Sequence, residues 1–293
     1  MHIDEALELF LTQLAADGRS THTVAQYARH VRLFASWARE RCHSPHVAEI
    51  GHELVARFLA SPQGRLRSDG ASRRPGTANA LRSSLKGFFV YLHEAGIITT
   101  NPARLIRRAR VGAAVPRGIS AEQGERLLAV LASAEGRESE RDRVLFTLML
   151  RTGIRIGSAL ALDIADLDLD EGRLLLRRTK GGGAESVFLA AGIVEQLRAF
   201  VGERASGPLF LAAAERRVSV RHVQRRLSQW IEKAGIAGRF SPHSLRHCFA
   251  TQLYRGTGDV LLVKEALGHR SITSTLVYAR CDRERLRAAV GAI

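Results

Sequence analysis

Lysine is nearly missing from this chain. Of 44 basic residues only Lys86, Lys180, Lys233 and Lys264 are lysine; the others are arginine. Cysteine is scarce too: Cys42, Cys248 and Cys281 are odd in number and scattered, with no CxxC spacing. That excludes a disulfide framework and a cysteine-held zinc site, and fits a reducing compartment. Long hydrophobic runs are also missing. The longest strongly apolar stretch, residues 144–150, is far too short to span a bilayer. The opening MHIDEALELF is acidic and amphipathic, with neither a basic leader nor a small-residue cleavage pattern, so no targeting segment is expected in it. Acidic residues number 29, which leaves a formal net charge of +15. With the membrane set aside, that excess points to a polyanion, and nucleic acid in the cytoplasm is the leading partner.

What is present is enough for well-packed cores. At 293 residues and 45% apolar content, the chain suits one large domain or two ordinary ones. Apolar positions at helical spacing predict helices over 3–17, 21–41, 53–59 and 77–94, with a basic, glycine- and serine-rich loop at 63–76. Residues 108–118 combine small residues, glycine and proline with arginines and have no apolar period, which marks a linker between units 1–107 and 119–293. After it, Ser120 and Gln123 form a capping-box pattern. Helices follow over 120–133 and 140–151, the second apolar all round. The period then changes, and 167–169, 174–178 and 186–190 read as short strands of one hairpin-linked sheet. Helices resume at 192–203 and 219–234. The fold class expected is mainly α with a small antiparallel β-sheet. The first 110 residues hold 16 basic and nine acidic residues and the remainder 28 and 20, so a DNA-facing surface is expected on both units.

Chemistry concentrates in residues 241–280. Ser241-Pro242 supplies a cap and a first-turn proline, so a helix starts there, with His243 and Arg246 three apart on one face. His269 follows Leu267-Gly268, a helix stop, and Tyr278 lies nine residues further on. Alone, His243 reads as an ordinary structural or surface histidine, Arg155 as an arginine closing a helix, and Lys180 as a turn residue. Together they suit attack on a phosphodiester. Guanidiniums fit the non-bridging oxygens on which charge builds, a phenol can attack, and a lysine can protonate the leaving oxygen, which arginine, with a pKa above about 12, cannot readily do. In a chain that otherwise writes arginine, a lysine in a glycine-rich hairpin tip is informative. Tyr27, Tyr91 and Tyr254 sit at core spacing and read as structural; so does His247, a quarter-turn from Arg246. Cys248 reads as a small buried residue, and Lys86, Lys233 and Lys264 as surface residues.

These segments, RTGIR at 151–155, TKGGG at 179–183, HSLRHCFAT at 243–251 and LGHRSITSTLVY at 267–278, resemble the tyrosine recombinases, the integrase family of phage, transposon and Xer-type enzymes. The resemblance covers the second unit residue by residue and the first only in architecture. It implies a helical, SAM-like core-binding domain ahead of a mixed α/β catalytic domain. The catalytic set would be Arg155, Lys180, His243, Arg246, His269 and the nucleophile Tyr278. It further implies cleavage and rejoining of double-stranded DNA through a 3′-phosphotyrosyl ester without cofactor, metal or ATP, in a homo- or hetero-tetramer assembled on DNA in the cytoplasm, in association with the nucleoid. The tail 282–293 is amphipathic and suits either exchange with a neighbouring subunit or packing at home. Ser158 departs from the pattern, since many relatives carry an acidic residue there. The rival readings are a type IB topoisomerase and a non-catalytic DNA-binding relative. The compact helical first unit and the tail oppose the former, and the intact set of six opposes the latter.

Overall fold

The computed structural model describes residues 1–42, 46–109, 118–176, 185–212, 215–238, 240–269, 271–281 and 291. The chain divides into two compact units, Met1–Ala114 and Val115–Ile293. Of the 108–118 stretch, residues 110–117 lie outside the described residues, as do 282–290, 292 and 293 of the tail.

The first unit holds α1 (Ile3–Ala16), α2 (Thr21–Cys42), α3 (His52–Ala60), α4 (Pro62–Arg65) and α5 (Pro75–Glu94). Each long helix buries the stripe its spacing dictates: Ile3, Leu7 and Phe10 on α1, Val31, Phe34 and Ala38 on α2, Leu81, Leu85, Phe88 and Leu92 on α5. Aromatic rings fill the centre, Phe34 meeting Phe58 and Phe89 edge-on at 5.2 and 5.8 Å, a geometry favoured by the ring quadrupoles. One turn of the expected 63–76 loop is helical. Ser61 caps it by accepting from Gly64 N, with Pro62 at the first helical position, a start signal as compact as Ser241-Pro242. Arg73 then donates to Gln63 O at 3.0 Å. Asn79, buried on α5, pairs with the backbone of Ala109 in both directions, at 3.0 and 2.7 Å. The chain therefore leaves α5's side at a fixed point.

The second unit is built on α7 (Arg137–Thr152), whose Val144, Leu145, Phe146, Leu148, Met149 and Leu150 are all buried. Around it lie α6 (Ala121–Ala132), α8 (Ile156–Ala161), α9 (Ala191–Val201), α10 (Val220–Lys233), α11 (Pro242–Thr257), α12 (Val260–Ala266) and α13 (Leu276–Cys281). The capping box forms as its residues require: Gln123 N donates to Ser120 Oγ at 3.1 Å and Ser120 N to Gln123 Oε1 at 2.8 Å. Asp142, fully buried on α7, accepts from Arg141, from Arg226 Nε at 2.5 Å and from Trp230 Nε1 at 2.9 Å, tying α7 to α10. Strands β1 (Leu167–Asp168), β2 (Arg173–Leu176) and β3 (Glu185–Phe188) form an antiparallel sheet in the order β1-β2-β3, with Leu174 opposite Leu167 and Val187. β3 ends two residues before its expected limit, though Leu189 N still donates to Gly172 O at 2.7 Å in register with the sheet. The one-and-a-half-turn α8 gave no periodic signal, being short and glycine-containing. The fold is thus mainly helical with one small antiparallel sheet. Among the described residues no helix is long and apolar enough to cross a membrane.

Candidate active site

Arg246 is the centre of the site. It lies on the first turns of α11 and is only 3% exposed. Its Nη1 donates to Gly153 O at 2.6 Å, and its Nη2 to Leu267 O. Gly153 and Leu267 are the C-caps of α7 and α12. One guanidinium therefore satisfies carbonyls at two helix C-termini, where orphan acceptors and the negative dipole end favour a cation. Its Nε, also buried, has no hydrogen-bond partner among the described residues, so donor capacity remains for an oxyanion. Burial and the neighbouring Arg155 push its pKa down to about 10, still well above neutral.

The two caps can be reached only because the turns are glycine. Gly153 has φ +65°, and a Cβ there would strike the Phe249 ring; Gly268 has φ +56°, and a Cβ there would strike the Glu185 carboxylate. Arg155, the exposed N-cap of α8, donates Nη2 to Gly268 O at 3.4 Å. The two arginines thus hold consecutive carbonyls of one turn, and His269 is the next residue. Glu185 opens β3, packs against Gly268, and its charge acts on Arg246. A carboxylate therefore does reach the cluster, from the sheet and not from position 158.

Three imidazoles surround the guanidiniums. His243 sits in the first turn of α11 and lines an open cleft with Arg246, Pro242 and residues 154–158. Burial, then the charges of Arg246 and Arg155, lower its pKa. His269 pairs Nδ1 with the Oγ1 of buried Thr275 at 2.9 Å. Burial first, then Arg246, Arg155 and the other two imidazoles, bring its pKa to about 4. His247 is the residue that sequence reasoning missed. Its Nδ1 lies 2.7 Å from Tyr278 Oη, and its ring meets His243 edge-on at 4.5 Å. The overlooked signal is the spacing: His243 and His247 are four apart, hence stacked on one helix face. Against Arg246 alone, one residue away, the position of His247 says nothing of this.

Tyr278, on α13, is 3% exposed, among Ala250, Val263 and Leu267. Burial raises its pKa and Arg246 opposes this, so the phenol keeps its proton at neutral pH. Of the six residues singled out in the sequence, Arg155, His243, Arg246, His269 and Tyr278 are gathered here from three helices and one turn. Lys180 lies outside the described residues. Tyr254 joins the core around Tyr278, and Cys248 is buried, with burial raising its thiol pKa.

Residues 117–285 match the model of the phage integrase family, and residues 7–96 that of the phage integrase N-terminal SAM-like domain. The tyrosine recombinase XerC of Chromobacterium violaceum is 31% identical over 288 residues, covering 97% of this chain and 92% of that protein. Among solved structures, the XerH site-specific recombinase in a post-cleavage complex with palindromic difH DNA superposes with a TM-score of 0.75 at 24% identity, over 94% of this chain and 81% of that one. A lambda integrase tetramer bound to a Holliday junction gives 0.72 at 19% identity, over 93% and 79%.

Proposed function

Because the chain belongs to the phage integrase family of tyrosine recombinases, we propose that it recombines DNA at a specific site, with Tyr278 as nucleophile. Site-specific recombination by cleaving and rejoining DNA through a tyrosine intermediate is the family's chemistry. Supercoil relaxation is not favoured. The observation that carries the residue assignment is the shared turn at Leu267-Gly268. It gathers Arg246, Arg155 and His269 beside the helix that bears Tyr278.

In this reading the scissile phosphate takes the remaining donors of Arg246 and Arg155, with His243 and His269 on its non-bridging oxygens. Donors fixed in advance by Gly153 O, Leu267 O and Thr275 need no rearrangement as charge develops, which is the most effective form of electrostatic stabilisation. Tyr278 Oη bonds to phosphorus as the bond to the 5′-oxygen breaks. Lys180 gives that oxygen its proton. The 3′-phosphotyrosyl ester conserves the bond, so a 5′-hydroxyl from a partner strand reverses the step without ATP. Exchange of two duplexes uses four such sites. The fold shared with the lambda integrase tetramer supports a DNA-assembled tetramer of identical or paired subunits, acting in the cytoplasm on the nucleoid. The division into units 1–107 and 119–293 belongs to the same reading.

The test starts by selecting bound duplexes from a randomised pool to obtain the site. A suicide substrate nicked near the cleavage point should then trap a covalent adduct, absent with Tyr278→Phe. Native gels of paired sites should show species with four subunits. An adduct that survives Tyr278→Phe sinks the nucleophile assignment.

A further inference from the structure

We propose that His247 is a further catalytic residue, the group that orients the Tyr278 hydroxyl and accepts its proton as the phosphotyrosyl bond forms. The inference rests on Tyr278 being the nucleophile. Its basis is contact with the reacting atom itself: at 2.7 Å, with the phenol 3% exposed, the His247–Tyr278 bond is direct and shielded from water. Neither His243 nor His269 is so placed. His269 Nδ1 is engaged by Thr275, and the His243 ring packs edge-on against the His247 ring at 4.5 Å.

Electrostatics decide the direction of the hydrogen bond. His247 packs beneath the backbone of Gly118 and faces His243, Arg246 and Tyr278. Burial first, then His243 and Arg246, bring its pKa to about 4, so the ring is neutral. The phenol keeps its proton, so Oη–H donates to the Nδ1 lone pair and the ring's own hydrogen sits on Nε2. A base this weak barely activates a phenol in the free protein. Phosphate changes that. An anion against Arg246 and His243 offsets the positive potential that depresses His247, and the ring gains basicity only when substrate is seated. The step balances. The Oη–P bond forms, the P–O5′ bond breaks, the Oη proton passes to His247 Nδ1, and a proton from Lys180 passes to O5′. Rejoining runs both transfers backwards.

A suicide substrate with sulfur replacing the bridging 5′-oxygen separates the two ends of the reaction, because a thiolate leaves without an acid. Sulfur should rescue Lys180→Ala. It should leave His247→Ala and His247→Asn slowed about 100-fold or more on both substrates, the range expected for a lost proton acceptor. Asparagine keeps an acceptor near Nδ1 but takes no proton, so this variant should melt and bind DNA like the unchanged protein. Cleavage by His247→Asn within about threefold of normal, or faster than normal, overturns the proposal; the second result would make His247 a restraint on the tyrosine. A readout on unaltered protein guards against misfolded variants. Nitrogen NMR of labelled histidine should show His247 Nδ1 unprotonated without DNA, and a proton on Nδ1 there is equally fatal. Persistence of the adduct in Tyr278→Phe would instead indict the nucleophile.

Discussion

Arg246 does two jobs that a lysine cannot combine. Its planar fork reaches Gly153 O and Leu267 O together and still leaves Nε for an oxyanion, whereas an ammonium is a single point on a flexible stem. Arg246→Lys should therefore strand at least one buried helix-end carbonyl, at about 1–3 kcal/mol of stability, and slow adduct formation at least 100-fold even at saturating DNA. Denaturant melts and single-turnover cleavage measure the two losses separately, and a variant that loses stability but cleaves normally would reduce Arg246 to a structural brace. Arg246 was legible because HxxR at one helix start is a compact pattern. For His247 only half the signal was there: its four-residue spacing from His243 marks a shared face, but its contact with Tyr278, 31 residues away, leaves no trace in sequence spacing.

At the scale of elements, the helices that announce themselves are those with long apolar stripes, α1, α2, α5 and α7. Those that do not are α4 and α8, of four and six residues, too short to show a period and held by their surroundings. Yet Arg155 caps the N-terminus of α8, so the least legible element presents one of the two phosphate-facing arginines. Its position depends on α7, and α7 is anchored to α10 through Asp142. A fully buried carboxylate with two arginines and an indole on it leaves uncompensated cations when removed. Asp142→Ala should cost about 3–5 kcal/mol, the range for breaking a buried pair from one side. Urea unfolding checks this, and a loss below about 1 kcal/mol would show that water reaches Arg141 and Arg226 easily. The run VLFTLML reveals a buried helix, but Asp142 closes the charged segment RESERD before it, and nothing in that segment marks one carboxylate as buried.

For the molecule as a whole, histidines held below their ordinary pKa make acid the weak point of both units. His30, bonded to Ser84 at 2.8 Å in the first unit, has its pKa lowered to about 4 by burial first and then by Arg29 and Arg73. In the second unit His247 and His269 are also near 4, and His243 is lowered. Each is neutral when folded and has an ordinary pKa of about 6.5 when unfolded. Below pH 6.5 the unfolded chain therefore binds protons that the folded chain refuses, and linkage makes stability fall with pH. The contribution is complete above about 6.5 and drains away as pH approaches 4. Calorimetry should show melting temperatures level from pH 8 to 7 and declining from 6.5 to 4. His30→Gln should flatten the decline only for the first unit's transition, because the other three histidines belong to Val115–Ile293. Bound DNA should flatten it for the second unit, since phosphate against Arg246 and Arg155 raises the imidazoles toward their ordinary range. A melting temperature constant down to pH 4.5 would mean that these rings accept protons without leaving their folded positions, and that the site opens to water far more readily than its packing implies.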